Sequence, residues 1–255
     1  MRSLYVFFIA VFLALPAQSL AGKPVLLIDQ GHGQQFLIEK EGALDLSKLA
    51  RVFRDEGFEV RALTGKVTPK DLSGVDAFVT SGLFVPYDND ERKEILGFIE
   101  RGGAMSMMIH IAPTYGVLLK ELGIASFTAP VKETQGNIND SPIDFRVAVF
   151  NGHPLTEGLK GFGLYGGWGL FPSSKSSLTP VATTSKNAWL DINNNQVRDA
   201  NEAYRAFTMV FAGTKGKGRY AIFGDDAIFQ NRFMDPDNSK LAKNLALWLS
   251  PPKAL

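Results

Sequence analysis

The segment Lys23–Asp29, which reads KPVLLID, decides the fold, and the glycine-containing turn Gln30–Gly33 follows it. Its continuous apolar run ends in an acid, a pattern typical of a parallel strand buried on both faces. Apolar residues then recur at roughly helical spacing over Gly42–Glu56, and a second short apolar run covers Phe58–Leu63. A strand, a helix and a strand in this order predict the first unit of a parallel α/β sheet.

The same alternation continues along the chain. We predict further strands at Asp76–Ser81 and Ala104–Ile111, and further helices at Asn89–Glu100 and Tyr115–Leu122. Short joints that contain glycine separate these elements, as in a doubly wound sheet. The predicted fold class is therefore α/β, with a flavodoxin-like, mainly parallel sheet.

Between residue 127 and about residue 214 the alternation gives way to a stretch rich in Gly, Asn, Pro and Ser. Its β-like runs are Phe145–Phe150, Phe162–Phe171 and Pro180–Thr184. The α/β pattern resumes with strands at 207–212 and 219–223 and a last helix at Asn238–Leu249. We therefore predict an α/β core formed by residues 22–126 and 207–255, with a β-rich insert at 127–206.

The first 21 residues have the pattern of a secretory signal peptide. Arg2 is followed by the unbroken apolar run Leu4–Leu15 and then by Ser19-Leu20-Ala21, whose small side chains suit signal peptidase. We predict cleavage near Ala21 and an exported, periplasmic or secreted, mature protein. The alternative is an uncleaved anchor, although this apolar run is shorter than the ~20 residues of a membrane-spanning helix.

The composition excludes several classes of partner and chemistry. Without Arg2 the basic and acidic residues are equal in number, and no basic run occurs. This balance argues against nucleic acid and anionic membranes as partners. The chain has no cysteine, which excludes disulfides, thiolate metal sites and a cysteine nucleophile.

The segment Asp191–Glu202, DINNNQVRDANE, fits the twelve-residue calcium loop. Oxygen ligands fall at the required positions, as side chains or, at the seventh position, as a backbone carbonyl. They are Asp191, Asn193, Asn195, Val197 (carbonyl), Asp199 and Glu202. Calcium prefers six to eight hard oxygen ligands, so the sequence predicts calcium as a bound cofactor with a structural role.

Two features separate this segment from a sensor-type calcium site. Position six, normally glycine because the turn requires a positive φ, is Gln196, at a cost of about 1 kcal/mol or more. The flanks also resemble strands rather than helices. The alternative is an Asn- and Asp-rich hairpin turn stabilised only by its own hydrogen bonds.

A second group of polar residues follows the predicted parallel strands, where open α/β sheets bind ligands. Its members are Asp29, Gln30, His32, Gln34, Ser81, His110, Asp225, Asp226 and Asn231. His32 and His110, with Asp29 or Asp225, could form a metal or acid–base site. The alternative, which we favour, is that these side chains hydrogen bond to loops and to the interior, since no nucleophile–base set can be assembled from their spacing.

Several segments together resemble the class I glutamine amidotransferase-like superfamily, and within it an exported branch of unknown function. They are VLLIDQGHGQ (25–34), GALDLSKLARVFRDEGFEV (42–60), FIERGGAMSMMIHIAP (98–113), NGHPLTEGL (151–159), AWLDINNNQVRDANE (188–202) and GRYAIFGDDAIFQN (218–231). The element from Gly224 to Asn231 is also similar to auxiliary domains of gliding and transport machineries that share this fold without amidotransferase activity.

The resemblance implies the fold and counts against the activity. Members with amidotransferase activity carry a nucleophilic Cys after a central strand, whereas the matching region here is Met105–His110 and the chain has no Cys. A serine in its place would need a positioned base. We therefore expect a non-enzymatic envelope protein that binds a small ligand or a partner. A metal-assisted or His-dependent hydrolase that uses the same crevice, and a purely scaffolding subunit, are the alternatives.

Overall fold

The computed structural model describes residues 22–109, 114–173 and 177–252, and five parallel strands form one half of its central sheet. They are β1 (Val25–Asp29), β2 (Glu59–Leu63), β3 (Ala77–Ser81), β4 (Ala104–Met108) and β14 (Gly218–Phe223). Their order in the sheet is β2-β1-β3-β4-β14, and each neighbouring pair is parallel. This is the flavodoxin-like order 2-1-3-4-5, although the fifth strand comes much later in the chain.

Helices cover both faces of the parallel strands. Helices α1 (Ser47–Asp55) and α4 (Pro236–Leu249) share one hydrophobic cluster with Leu26 and Ile28 of β1. Helices α2 (Asn89–Arg101) and α3 (Gly116–Glu121) share the other cluster with Leu27. Successive strand residues point to opposite faces, so the apolar run of β1 supplies both layers of core. The prediction of an α/β fold with a flavodoxin-like parallel sheet is confirmed for this half.

The start of α1 differs from its predicted position. The helix begins at Ser47 rather than at Gly42. The Asp45 carboxylate accepts hydrogen bonds from the backbone N–H of Gly42 and of Leu37, both at 3.0 Å, and so fixes a turn ahead of the helix. An Asp side chain that binds nearby backbone favours turns over helix, and the apolar spacing alone does not reveal this.

The segment 127–206 is rich in strands, and most of them continue the central sheet. Strands of the antiparallel half are β5 (Ile124–Lys132), β8 (Val149–Phe150), β10 (Trp168–Pro172), β11 (Leu178–Thr183), β12 (Trp189–Leu190) and β13 (Thr208–Lys215). β13 pairs antiparallel with β14, and the sheet continues through β10 and β5 to β12. β11 also pairs with β13, and β8 pairs with β11.

A small second sheet packs beside this extension. It contains β6 (Asn137–Ile138), β7 (Ser141–Val147) and β9 (Phe162–Tyr165), all antiparallel. Phe145, Phe162 and Leu164 belong to the same core cluster as α1 and α4. The antiparallel strands are therefore continuous with the parallel half in both sheet and core, and the division into core and insert stays a prediction.

The predicted signal peptide, residues 1–21, lies outside the described residues. Within the described ranges, no helix combines the length and the apolar character that crossing a membrane requires.

Candidate functional site

Buried polar side chains surround Asp29 at the carboxyl end of β1. The Asp29 carboxylate accepts hydrogen bonds from the Tyr87 hydroxyl at 2.5 Å and from the Gln34 amide at 2.8 Å, and its oxygens lie 3.0 Å from Nδ1 of His32. The chain leaves β1 for β2 on one side and leaves β3 for β4 on the other, so the winding direction changes between β1 and β3. An open α/β sheet ordinarily binds its ligand at such a point. In this protein the chain's own side chains fill that position.

His32 connects Asp29 to Glu91 of helix α2. Its Nε2 lies 2.8 Å from Oε1 of Glu91, and the residue is 3% exposed. Burial by itself lowers the pKa of the His32 imidazole, but the hydrogen bonds and charges of Asp29 and Glu91 outweigh burial and raise it. Both nitrogens of the His32 ring therefore face carboxyl oxygens, and this arrangement favours the protonated ring. A ring whose two nitrogens both donate has no lone pair left to accept a proton.

Glu91 reaches His32 because α2 begins beside it. Glu91 is the third residue of the helix and forms a capping box with Asp88, whose backbone N–H donates to Oε2 of Glu91 at 2.9 Å. Oε1 of Glu91 also accepts the backbone N–H of Val67 at 2.9 Å. The spacing of Asp88 and Glu91 signals a helix start in the sequence. It does not signal the contact with His32, which depends on how α2 packs over the sheet.

Two residues of the predicted crevice hold loops together instead. Gln30 accepts the backbone N–H of Ile38 at 2.7 Å through its Oε1. Asn231 accepts the backbone N–H of Lys48 at 2.9 Å and donates to the carbonyl of Gly42 at 2.8 Å. Asn231 thus connects the C-terminal region to the turn before α1. Both side-chain amides form hydrogen bonds with loop backbone, as expected if these residues hold loops in place rather than bind a ligand.

Two further members of the predicted crevice are Ser81, the last residue of β3, and His110, which follows β4 in the sequence. Ser81 is buried, and its Oγ has no hydrogen-bond partner within the described part of the chain. His110 lies outside the described residues. The structure therefore brings Asp29, His32 and Gln34 together and places Ser81 nearby without a described base beside it.

A cavity of about 210 Å³ lies over the carboxyl ends of β4 and β14, and we call it the aromatic cavity. It is lined by Phe36, Leu44, Ile109, Tyr165, Gly166, Trp168, Asp225, Asp226, Ala227 and Gln230. Gly82, which directly follows β3, has φ +63° and lies close to this cavity. A Cβ at Gly82 would lie 3.2 Å from Oδ2 of Asp226 and 3.2 Å from the Phe36 ring. Gly82 therefore permits the close approach of the turn after β3 to the turn after β14.

Asp225 is structural in its contacts, although it lies on the cavity wall. Its two oxygens accept the backbone N–H groups of Tyr165 and Ala227, both at 2.8 Å. Burial, followed by the charge of Asp226, raises the pKa of the Asp225 carboxyl well above its usual range. The sequence pointed to Asp225 and Asp226 as residues of this region. It did not point to Phe36, Tyr165 and Gln230, because no local sequence pattern predicts that these residues come together.

The backbone of Asp191–Glu202 folds as a tight turn around the Asp191 side chain. The Asp191 carboxylate accepts the backbone N–H groups of Asn195 and Gln196, both at 2.9 Å. Asn195 in turn accepts the N–H of Val197 at 2.8 Å. Gln196 has φ +67°, the left-handed conformation that the sixth position of a calcium loop requires. The strained position predicted from the sequence is therefore present.

The acids of this loop contact donors of the chain itself. Glu202 accepts the N–H groups of Ile192 at 2.8 Å and Asp199 at 3.0 Å. Nζ of Lys132 lies 2.5 Å from Oδ2 of Asp191. Among the described residues, no three acidic or histidine side chains are arranged to hold a metal ion. Lys132 belongs to β5, which the sequence analysis did not predict as a strand. Its contact with the Asp191–Glu202 loop was therefore not predicted.

Comparisons with known proteins identify the fold. No family model matches the chain, and no curated protein matches it. The structure is similar to the mmIFT52 N-terminal domain, with a TM-score of 0.71 and 16% identity over 91% of this chain and 99% of that domain. A ThuA-like protein from Bacteroides uniformis ATCC 8492 gives a TM-score of 0.55 at 16% identity, over 92% of this chain and 95% of its own.

A third similar structure is the cytoplasmic protein STM1381 from Salmonella typhimurium LT2, with a TM-score of 0.58 and 16% identity over 89% of this chain and 100% of its own. Identities this low establish a shared fold and no shared activity. The ThuA-like neighbours agree with the amidotransferase-like fold that the sequence resemblance implied. Export and the lack of catalysis stay predictions.

Proposed function

We propose that this chain is an exported, non-catalytic binding protein of the cell envelope, which takes a small ligand or a partner side chain into the aromatic cavity. One observation carries the proposal. The position at which a sheet of this order binds its ligand is filled by Asp29, His32 and Glu91, whereas the aromatic cavity over the ends of β4 and β14 is open.

The cavity favours a compact ligand. Its volume of about 210 Å³ is below the roughly 300–1,000 Å³ of sites for drug-sized molecules. Tyr165 and Trp168 offer aromatic faces, and the Tyr165 ring stacks on Phe233 with centroids 3.8 Å apart, so its orientation is fixed. Aromatic walls with polar groups at one end suit a small polar molecule that has one apolar face, such as a single sugar ring.

The cavity is tested by closing its mouth. Leu44 is 44% exposed at the rim, so Leu44→Trp adds bulk there without disturbing the core. Leu247→Trp is the matched control, because Leu247 is 53% exposed on α4, away from the cavity. Monosaccharides and small organic acids are screened by thermal shift. We expect at least one compound to raise the melting temperature of wild type and control but not of Leu44→Trp. Equal shifts of the melting temperature in all three proteins would exclude the aromatic cavity as the binding site.

The geometry around His32 supports a non-catalytic role. A hydrolase needs a base or a metal ligand with a free lone pair, and both ring nitrogens of His32 face carboxylates. We expect background hydrolysis of glutamine and of p-nitrophenyl acetate, unchanged by His32→Gln. An activity that disappears in this variant while its circular dichroism spectrum stays that of the folded protein would support the hydrolase alternative instead.

We also propose that calcium binds the Asp191–Glu202 loop as a structural ion. The left-handed Gln196 and the carboxylate and amide oxygens of the loop fit a hard cation. Asn193 and Asn195 each direct a side-chain N–H toward Asp199, at 2.7 and 2.9 Å, and a flip of either amide would present its oxygen instead. Calcium sites of extracellular modules bind in the ~10⁻⁴–10⁻³ M range, which agrees with an exported protein.

Calcium is tested by melting the protein in excess EDTA and in millimolar calcium. We expect calcium to raise the melting temperature saturably. Glu202→Ala and Asp191→Ala should abolish the calcium-dependent increase, whatever their effect in EDTA. Asp71→Ala, which alters a half-buried carboxylate that accepts the backbone N–H of Thr68 in a different part of the chain, should leave the increase unchanged. Equal melting temperatures in the two buffers would remove the calcium proposal.

Export is tested on protein expressed from the full sequence in a bacterial host. We expect the intact mass of protein from the periplasmic or culture fraction to correspond to a chain that begins at Gly22. A mass that includes residues 1–21 would favour the uncleaved anchor.

A further inference from the structure

Lys132 lies where its ammonium meets the first and sixth positions of the Asp191–Glu202 loop. Its Nζ is 2.5 Å from Oδ2 of Asp191 and 2.6 Å from Oε1 of Gln196. The ion pair is buried, with side chains 5% and 2% exposed. The same ammonium lies 5.0 Å from the centroid of the Trp189 ring, where an aromatic face favours a cation. Three groups, a carboxylate, an amide oxygen and an aromatic face, therefore converge on one positive charge.

We propose that Lys132 is the built-in cation of this loop. Its ammonium holds the loop folded when no metal is bound, and a divalent cation enters only by displacing it. The second half of this statement rests on the calcium proposal, whereas the first half does not. A buried carboxylate requires a counter-charge, and Lys132 supplies one to Asp191 from a neighbouring strand.

Lys132 and a metal ion compete for Asp191. Asp191 is the first ligand of the loop, and a dication bound to it would meet the Lys132 ammonium at short range and repel it.

The structure provides room for the displaced ammonium. A cavity of about 240 Å³ adjoins the loop. It is lined by Pro130, Lys132, Ser141, Pro142, Ile143, Asp191, Asn194 and Gln196. A lysine has four rotatable side-chain bonds and a compact charge, so it can leave Asp191 without moving β5. The loop would then have two alternative cations: a tethered one at low calcium and a free one at high calcium.

The test compares Lys132→Met with wild type. Methionine keeps an unbranched apolar side chain and removes the charge. Lys215→Met is the matched control, since Lys215 is also an ion-paired strand lysine, 3.1 Å from Glu100, but lies on β13. Each protein is melted in EDTA and titrated with calcium, with tryptophan emission as the signal because Trp189 adjoins the ammonium.

We expect Lys132→Met to melt several degrees below wild type in EDTA and to bind calcium about tenfold more tightly or better. Calcium should restore its melting temperature to the wild-type value. Lys215→Met should match wild type in both measurements. Gln196→Asn, whose shorter amide cannot reach Nζ while asparagine still tolerates a positive φ, should change both quantities in the same direction by a smaller amount.

The outcomes separate the two proposals. A Lys132→Met protein that melts in EDTA at the wild-type temperature overturns the built-in cation. Destabilisation in EDTA with no calcium binding by either protein supports the built-in cation and removes the calcium proposal. If Lys132→Met is destabilised in EDTA but binds calcium with the same affinity as wild type, the proposal that calcium displaces the Lys132 ammonium is wrong. If Lys132→Met does not fold in EDTA, folding in calcium supports the proposal, and the affinity of Gln196→Asn decides the displacement.

Discussion

His32 shows how one residue can be essential to the fold and yet unsuited to chemistry. Its ring lies between the buried carboxyl groups of Asp29 and Glu91, which are 1% and 4% exposed, and both favour its protonated form. Each carboxylate also accepts hydrogen bonds from backbone or side-chain donors, for example from the Tyr87 hydroxyl to Asp29. Neutralising the central charge would leave two buried anions without their counter-ion. The spacing of Asp29 and His32 in the sequence fits a metal site equally well, and only the position of Glu91 distinguishes the two.

We predict that His32→Gln lowers the free energy of unfolding by about 3–5 kcal/mol, the usual cost of breaking a buried ion pair from one side. Urea unfolding at pH 6 measures it. His153→Gln is the control, because His153 is only partly buried and contacts a backbone N–H, that of Leu155, at 3.2 Å. A loss no larger than the control's would mean that the network relaxes without its cation.

The same residue gives the stability a pH dependence of defined sign. The pKa of His32 is raised in the folded protein above its ordinary value of 6.5, so the folded state holds the proton more tightly. Its contribution is complete below about pH 6.5 and is lost as the pH rises through the folded-state pKa. The pKa of His153 is lowered by burial, so its contribution is instead lost as the pH falls. We expect the unfolding free energy of wild type minus that of His32→Gln to decrease above pH 6.5.

At the scale of elements, the sequence predicted those strands and helices whose apolar residues follow one period. β1, β3 and β4 are buried along their whole length, and α4 carries a regular apolar face. β5 was missed because its burial alternates irregularly over Ile124–Lys132 and Ser126, Thr128 and Pro130 interrupt its apolar residues. It is a strand because it pairs with β10, a contact between segments about forty residues apart that no local pattern reveals.

The Asp191–Glu202 loop and the predicted crevice show the same difference between what the sequence predicts and what it does not. The positive φ of Gln196 was predictable, since it follows from the spacing of ligands in one contiguous turn. The contacts of Lys132 with that turn, and of Glu91 with His32, join residues 59 positions or more apart in the chain. Such contacts depend on the register between strands and helices. The sequence could therefore locate both candidate sites but not the side chains that complete them.

The hairpin between β6 and β7 gives a prediction at this scale. Ile138 pairs with Ser141, and the two residues between them, Asn139 and Asp140, have φ of +52° and +58°. Two positive φ values define a type I′ turn, for which Asn-Gly is the favoured sequence. We expect Asp140→Gly to raise the free energy of unfolding by about 0.5–1 kcal/mol, and Asp140→Ala to lower it or leave it unchanged. Urea unfolding of both variants checks the turn, and a loss of stability in Asp140→Gly would contradict it.

At the scale of the whole molecule, one sheet runs through both halves of the chain. β14 pairs with β4 on one side and with β13 on the other. The parallel and antiparallel halves of the sheet therefore meet between β14 and β13. One core cluster contains Leu26 of β1 together with Val181 of β11. Unfolding the antiparallel half would therefore expose apolar surface of the parallel half and remove the hydrogen bonds from one side of β14.

This continuity predicts a single cooperative transition for the mature chain. The three tryptophans report on different places: Trp168 on β10, Trp189 on β12 and Trp248 on α4. We expect urea unfolding followed by their emission in single-tryptophan variants to coincide with loss of helical circular dichroism in midpoint and slope. Two separated transitions, with Trp189 unfolding first, would instead show that segment 127–206 is a distinct folding unit.

The complementary experiment removes that segment. Replacing residues 127–206 with a short Gly-Ser linker would test whether the α/β core folds alone, as the predicted division into core and insert implies. The observed sheet leads us to expect that it does not, because β13 would lose its partners β10 and β11 and become an unprotected edge strand. We expect the shortened chain to aggregate, or to keep helical circular dichroism without a cooperative melting transition. A cooperative transition in a soluble monomer would contradict this and would make the antiparallel half an accessory to an autonomous core.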